Sequence, residues 1–129
     1  MSKSAPVIVS AAVIERDDAF LLTRRAEGAH LAGSWEFPGG KQEAGETLEA
    51  ALVREIHEEL GCRVTVGARL LAATHAYDEL TVELHFYQVT LLEDPVPQLG
   101  QEMRWVPRAE LASLPLPEAD ADLVALLTT

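Results

Sequence analysis

One helix, predicted over residues 47–60, most constrains the fold, because β-rich segments precede and follow it in the sequence. Thr47 is a favourable N-cap residue, Glu49 lies in the first turn, and Gly61 is typical of the residue that ends a helix. Apolar residues recur on one side of this helix at about 100° per residue, and they are Leu48, Leu52, Val53, Ile56 and Leu60. This face is predicted to pack against a sheet.

β-Branched and alternating apolar runs predict the strands around the helix. Residues 7–14 and 19–24 are separated by the polar turn Arg16-Asp17-Asp18 and are predicted to form a hairpin. Two later runs, 63–73 and 80–92, are predicted to pair. The remaining elements are predicted as a loop over 93–100, a strand over 103–106 and helical segments over 108–114 and 118–127. This order predicts an α/β or α+β fold in which helices pack on a mixed sheet.

Composition limits the class of protein. At 129 residues and 48% hydrophobic, the chain is predicted to form one domain over 1–129. It has no apolar run of membrane-spanning length and no recognisable signal segment, so we expect a cytoplasmic protein with no membrane association. Cys62 is the single cysteine, which excludes an internal disulfide. The sequence leaves a monomer and a homodimer equally open.

The net charge of -11 disfavours binding to polymeric nucleic acid. A small polyphosphate stays compatible with this charge if divalent cations lie between its oxygens and the carboxylates of the protein. The charge therefore points to a small anionic partner bound through metal ions, or to no anionic partner at all.

Three carboxylates share one face of the predicted helix, since Glu55, Glu58 and Glu59 stand at i, i+3 and i+4. Glu59 projects toward the apolar face, where an uncompensated carboxylate costs several kcal/mol as an order of magnitude. Arg54 neutralises one of the three charges. Hard oxygen ligands in this arrangement suit Mg²⁺ or Mn²⁺. A solvated acidic helix face explains the cluster alone equally well.

The segment before the helix, residues 26–46, is rich in glycine and proline and is predicted to be one long loop. Long structured loops in compact domains are usually functional. Its stretch Glu36-Phe37-Pro38-Gly39-Gly40 leads toward the acidic helix. Glycine permits close approach of the backbone to a ligand, so a carbonyl of Gly39 or Gly40 is a candidate metal ligand.

These residues resemble the signature of the Nudix hydrolase family, G-x5-E-x7-R-E-U-x-E-E-x-G-U, in which U is a bulky apolar residue. The matching positions are Gly40, Glu46, Arg54, Glu55, Ile56, Glu58, Glu59 and Gly61. Cys62 departs from the pattern as a smaller residue at the last position. Outside the signature, residues 23–26, His30, 35–41 and 104–106 look like the MutT-type branch of the family, so the resemblance covers nearly the whole chain.

The resemblance implies an α/β/α sandwich, dependence on Mg²⁺ with Mn²⁺ as a substitute, and hydrolysis of a nucleoside triphosphate to the monophosphate and pyrophosphate. It places a Gly39 carbonyl on the metal, with Glu55, Glu58 and Glu59 holding ions or activating water. Arg54 is then expected to orient the carboxylates. Family resemblance favours Glu55 as the base, although coupled carboxylates do not titrate singly.

The resemblance also implies contacts with the nucleotide. These substrate-binding candidates are Arg25, His30, Glu36, Phe37, Pro38, Gly39, Tyr77 and Asp120. Asp120 occupies the position where relatives place Asn or Asp against the base edge, where it can accept from a donor group. The alternatives are a surface charge for Arg25, an incidental role for His30, and ordinary packing for Phe37 and Tyr77.

Relatives often carry a glutamate, as an extra metal ligand, three residues before the position of Glu102. Here that residue is Leu99, which leaves the number of bound ions open. The leading hypothesis is removal of an oxidised purine triphosphate such as 8-oxo-dGTP, with (d)CTP or a modified pyrimidine triphosphate as the alternative. A nucleotide-binding regulator without turnover, or an inert interaction domain, explains the complete glutamate set less well.

Overall fold

The computed structural model describes residues 5–24 and 33–129, which contain two four-stranded sheets and two α-helices. The strands are β1 (Val7–Val13), β2 (Glu15–Arg16), β3 (Ala19–Arg24), β4 (Trp35–Glu36), β5 (Gly39–Lys41), β6 (Val64–Tyr77), β7 (Leu80–Leu91) and β8 (Glu102–Pro107). The α-helices are α1 (Leu48–Leu60) and α2 (Ala121–Leu127), with 3₁₀ helices at Arg108–Ser113 and Glu118–Asp120.

The first sheet has the order β5-β1-β7-β6 and is mixed, because β1 runs parallel to β7 while the other neighbours are antiparallel. The second sheet is antiparallel and is built on β3, with β8 along one edge and β2 and β4 on the other. The predicted mixed sheet with packed helices is therefore confirmed, as is the predicted pairing of β6 with β7.

The predicted hairpin of residues 7–14 with 19–24 is wrong. β1 pairs with β5 and β7. Only residues 14–16 bond back to β3, through the pairs of Glu15 and Arg16 and a bond from the Leu21 N–H to the Ile14 carbonyl at 3.0 Å, around a turn in which Asp17 and Asp18 both have positive φ. The physical reason is burial on both faces. Residues 11–14 are all buried, as is typical of a central strand with a neighbour on each edge rather than of a hairpin arm.

Helix α1 has the predicted ends. The Thr47 hydroxyl accepts a hydrogen bond from the Ala50 N–H at 3.0 Å, and Gly61 closes the helix in the left-handed conformation with φ 61°. Its buried face differs from the prediction at one position, because Val53 is 39% exposed and Ala51 is fully buried instead. Val53 lies at the outer edge of the apolar arc, and the centre of the arc faces the sheet.

The loop predicted over 26–46 also contains structure that the sequence pattern did not indicate. Its described part carries β4 and β5, which are two and three residues long. Strands this short show no periodicity. β5 extends the first sheet beyond β1 and lies against α1. One hydrophobic cluster joins residues of both sheets to the 3₁₀ helices and α2, and the other joins residues of both sheets to α1. Within residues 5–24 and 33–129, no helix has the length and apolar character that crossing a membrane requires.

Candidate active site

A cavity of about 580 Å³ opens where α1, β5 and β1 meet the tip of the β6–β7 hairpin. One end is lined by the carboxylates of α1 together with Gly39 and Gly40. The other end is apolar and is closed by the segment before α2, which carries Asp120. The apolar lining includes Val7, Val9, Leu80, Val82, Leu84 and Phe86. The cavity therefore joins a charged compartment to an apolar one.

Gly39 turns its backbone polar groups away from β1. The N–H of Ala12 donates to the Pro38 carbonyl at 2.7 Å, and the N–H of Gln42 donates to the Ile8 carbonyl at 2.9 Å. In an antiparallel ladder the hydrogen-bonded residue pairs alternate, so the pair containing Gly39 shares no bond with β1. Its N–H instead reaches the carboxylate of Glu59. The geometry leaves the Gly39 carbonyl free of the ladder as well.

Gly40 brings β5 close to the helix. A Cβ atom at this position would overlap the carboxylate of Glu55. No side chain larger than hydrogen therefore fits between β5 and Glu55 without displacing the carboxylate. Gly40 thus lies close to a carboxylate of α1, and the predicted approach of the Gly39 or Gly40 carbonyl to a metal ion stays a prediction.

Glu59 is the carboxylate that the sequence predicted to point inward, and the structure places it there. Its Oε2 atom is buried and has no hydrogen-bond partner among the residues that the structure describes. Burial, followed by the charges of Glu55 and Glu36, raises the pKa of Glu59 to about 8, and the Gly39 N–H offsets part of this rise. An acceptor oxygen that is buried without a donor is a costly arrangement, and a cation would relieve it.

Arg54 is the resident counter-ion of the acidic face. Its guanidinium makes a two-pronged contact with Glu46, with nitrogen–oxygen distances of 2.6 and 2.9 Å. It also contacts Glu55 at 2.9 Å and Glu58 at 3.3 Å. Hydrogen bonds from Arg54 and from the Glu43 N–H lower the pKa of Glu46 to about 2. The arginine thus holds two cavity carboxylates from the side opposite Glu59.

The donor set fits a hard divalent cation in kind, since three carboxylates of α1 line one cavity and one of them, Glu59, has a buried oxygen with no hydrogen-bond donor among the described residues. The set is not preassembled. Across the described ranges, no three His, Cys, Asp or Glu side chains already converge in ion-binding geometry. Glu55 and Glu58 are turned to Arg54, so ion binding requires their oxygens to turn toward Glu59.

Asp120 lies at the apolar end and is only 6% exposed. Burial, followed by the nearby charge of Glu36, raises its pKa to about 7. Both carboxylates line the cavity. Two acids in the lining of a mainly apolar cavity can accept hydrogen bonds from a ligand whose flat apolar part contacts the apolar lining.

The raised pKa of Asp120 predicts how stability depends on pH. Its ordinary pKa is 3.8, so the folded state takes up a proton that the unfolded state releases between about pH 4 and pH 7. The stability gained from the protonated form is therefore lost as the pH rises through 7. Each pKa unit is worth about 1.4 kcal/mol. We expect Asp120→Asn to flatten this loss by about 2–4 kcal/mol in urea unfolding of the metal-free protein between pH 5 and pH 8.

The other predicted substrate-binding residues differ in whether they line the cavity. Tyr77 lines the cavity, with its ring 4.6 Å from that of His75. Phe37 is a core residue packed on Phe86, yet its ring also lines the cavity. Pro38 is not part of the cavity lining. Its carbonyl accepts a hydrogen bond within the sheet.

Two further predictions, Arg25 and His30, lie outside the described residues. Leu99 lines the same cavity as the carboxylates of α1 and is 70% exposed. The segment between β7 and β8 therefore contributes an apolar side chain to the cavity. The apolar wall of the cavity was not predicted as part of the site, although the alternation of Val82, Leu84 and Phe86 in β7 indicates that face.

The comparisons with a family model, with known sequences and with solved structures agree on the family of this chain. The family model of the NUDIX domain matches residues 9–126. A CTP pyrophosphohydrolase of Escherichia coli (strain K12) is 37% identical over 117 residues, which cover 90% of this chain and 87% of that protein. An 8-oxo-dGTP diphosphatase of Haemophilus influenzae is 41% identical over 105 residues, covering 80% and 76%.

Solved structures agree with the fold. The MutT protein of methicillin resistant Staphylococcus aureus, a Nudix hydrolase, superposes with a TM-score of 0.79 at 36% identity and covers 98% of both chains. The MutT protein of Methanosarcina mazei superposes with a TM-score of 0.86 at 26% identity, covering 98% of this chain and 96% of that one. Both similarities span the strands and the helix that line the cavity.

Proposed function

Since this chain belongs to the Nudix family of hydrolases, we propose that it hydrolyses a nucleoside triphosphate to the monophosphate and pyrophosphate in the presence of Mg²⁺. Mn²⁺ is expected to substitute. The observation that carries this proposal is the Glu59 carboxylate, which is buried near other acids and has one oxygen without a donor in the part of the chain that the structure describes. A buried carboxylate oxygen without a donor destabilises a protein core, whereas in a cation site the same oxygen serves as a ligand.

The proposed metal ligands are Gly39, Glu55, Glu58 and Glu59. A bound ion would neutralise charge on the phosphate chain and lower the pKa of a coordinated water. Glu55 is the proposed base, and Gly40 leaves room for its carboxylate at the cavity wall. Arg54 is proposed to orient Glu55 and Glu58, which it contacts directly. Its bidentate contact with Glu46 fixes the orientation of the guanidinium.

The apolar end of the cavity is proposed to hold the base. Asp120, with Glu36 beside it, is proposed to accept hydrogen bonds from the base edge, and Phe37 and Tyr77 to contact the ring. Arg25 and His30 are proposed to contact the nucleotide on the family resemblance, as is Pro38. Relatives at similar identity are named for 8-oxo-dGTP and for CTP. Guanine and cytosine both offer amino donors to a carboxylate, so Asp120 is compatible with either base. We propose 8-oxo-dGTP as the first candidate substrate and (d)CTP as the second.

Pyrophosphate release from a panel of canonical and oxidised nucleoside triphosphates, with and without Mg²⁺, tests the proposal. We expect turnover to require the ion, and 8-oxo-dGTP to give the highest kcat/KM. A higher kcat/KM for CTP or dCTP would select the alternative substrate. Binding of nucleotides with no pyrophosphate release under any metal condition would contradict the enzyme assignment and favour a regulator.

Asp120→Ala serves as the specificity control in the same panel. Loss of the carboxylate removes one of the two proposed acceptors for the donor groups of the preferred base and leaves Glu36 as the other. We expect KM for the preferred nucleotide to rise by about tenfold or more, with a much smaller change for poor substrates. An equal change across the panel would show that Asp120 does not contact the base.

A further inference from the structure

The last turn of α1 is an unfavourable place for acidic side chains. The C-terminal end of a helix carries partial negative charge, and its last carbonyls have no partner within the helix. Glu58 and Glu59 lie in this turn, with Glu55 one turn before them. The Gly61 N–H satisfies the His57 carbonyl at 3.0 Å. Mutual repulsion and the helix dipole therefore both favour fraying of the turn that carries the site.

The loop between β7 and β8, residues 92–101, supplies the missing donors. The Val96 N–H donates to the Leu60 carbonyl at 2.8 Å, and the Gln98 N–H donates to the Glu59 carbonyl at the same distance. The Gln101 side chain adds a second donor to the Glu59 carbonyl, from Nε2 at 2.9 Å. This loop is thus the cap of the helix, contributed from a distant part of the chain.

Gln101 differs from the other donors because it uses both ends of its amide. While Nε2 donates to the Glu59 carbonyl, Oε1 accepts from the Leu99 N–H at 2.9 Å. The side chain therefore fastens the loop to the helix at one residue, Glu59. That residue is also held at its other end, where the Gly39 N–H reaches the carboxylate.

We propose that Gln101 is a positioning residue for the metal site, and that its amide keeps the last turn of α1 helical so that Glu58 and Glu59 face the cavity. The proposal rests on the proposed metal role of Glu59. Without the Nε2 donor the Glu59 carbonyl keeps the Gln98 N–H as its one loop donor, so the turn loosens and the carboxylates separate under their own repulsion. Residues that fix metal ligands from behind typically change metal affinity or activity by about 10- to 100-fold when replaced.

Gln101→Met tests the proposal, with Gln98→Met as the matched control. Gln98 lies in the same loop and its side chain also lies against Gly61, but its Nε2 donates to the Val96 carbonyl of the loop and not to a helix carbonyl. Mn²⁺ affinity without nucleotide is measured by electron paramagnetic resonance of the free ion. We expect Gln101→Met to weaken Mn²⁺ binding about tenfold and to lower kcat similarly, with nucleotide KM within about twofold. Gln98→Met is expected to bind Mn²⁺ within about twofold of the unchanged protein.

Amide hydrogen exchange gives a reading that does not depend on metal. The Gly61 N–H, which donates within the last turn, is expected to exchange faster in Gln101→Met than in Gln98→Met. Equal exchange and equal Mn²⁺ affinity in the two variants would overturn the proposal, because a loosened loop in general would then explain both.

Gln101→Glu separates position from charge. It keeps an acceptor for the Leu99 N–H but has no donor for the Glu59 carbonyl. Added negative charge by itself would strengthen Mn²⁺ binding, so weaker binding supports positioning and stronger binding overturns it. If the unchanged protein binds no Mn²⁺, the proposed metal site fails and this inference fails with it. Tight Mn²⁺ binding in all variants would contradict the role of Gln101 and leave the proposed metal site in place.

Discussion

Replacing Glu59 with glutamine is expected to lower Mg²⁺-dependent kcat by about a thousandfold while making the metal-free protein more stable at alkaline pH. The amide keeps the size of the side chain but removes the negative charge that the ion requires. The pKa of Glu59 is raised from 4.5 to about 8, so stability is lost as the pH rises through 8. Glutamine does not ionise, and we expect a gain of about 1–3 kcal/mol in urea unfolding at pH 9.

Glu58→Gln is the matched control for this prediction. The Glu58 side chain is 57% exposed, so its ionised form is solvated and little stability depends on it. We expect the same loss of turnover as for Glu59→Gln with no comparable change in urea unfolding at pH 9. Full turnover in both variants would remove Glu58 and Glu59 from the mechanism. Lower stability of Glu59→Gln at pH 9 would contradict the buried, uncompensated state of that side chain.

The parts of the fold that depend on neighbouring residues were predictable from the sequence. Helix α1 begins and ends at the predicted residues because Thr47 and Gly61 act through contacts within four positions of themselves. The grouping of Glu55, Glu58 and Glu59 follows from helix geometry alone. The Nudix resemblance then assigned a chemistry to this group. The family match confirms the family, while the roles of the three carboxylates stay predictions.

Features that depend on distant parts of the chain were not predictable. A turn signal at Asp17 and Asp18 indicates that the chain reverses, but it does not say which strand lies beside residues 7–13. The Gln101 contact joins residues 42 positions apart, and no local pattern marks it. Asp120 was assigned to the cavity by resemblance, whereas the nearby charge of Glu36 was visible only in three dimensions.

The two glycines of β5 are expected to fail in different ways when each is replaced by alanine. A Cβ at Gly39 would overlap the backbone carbonyl of Ser10 and lie 2.7 Å from the Cα of Ala11. Both atoms belong to the central strand β1, which cannot move without disturbing the core on either side. We expect Gly39→Ala to lose about 3–5 kcal/mol in urea unfolding, in the range of severe overpacking.

At Gly40 the new Cβ would meet the carboxylate of Glu55, which is the end of a flexible side chain and can turn away. Gly40→Ala should therefore fold with a loss of about 1 kcal/mol but lose activity by about 100-fold, because the proposed base is displaced. Gly67→Ala is the control, since a Cβ there would come no closer than 3.2 Å to Gln88. Wild-type kcat in Gly40→Ala would show that Glu55 is not needed where the structure places it, and equal stability of the Gly39 and Gly67 variants would contradict the close contact of β5 with β1.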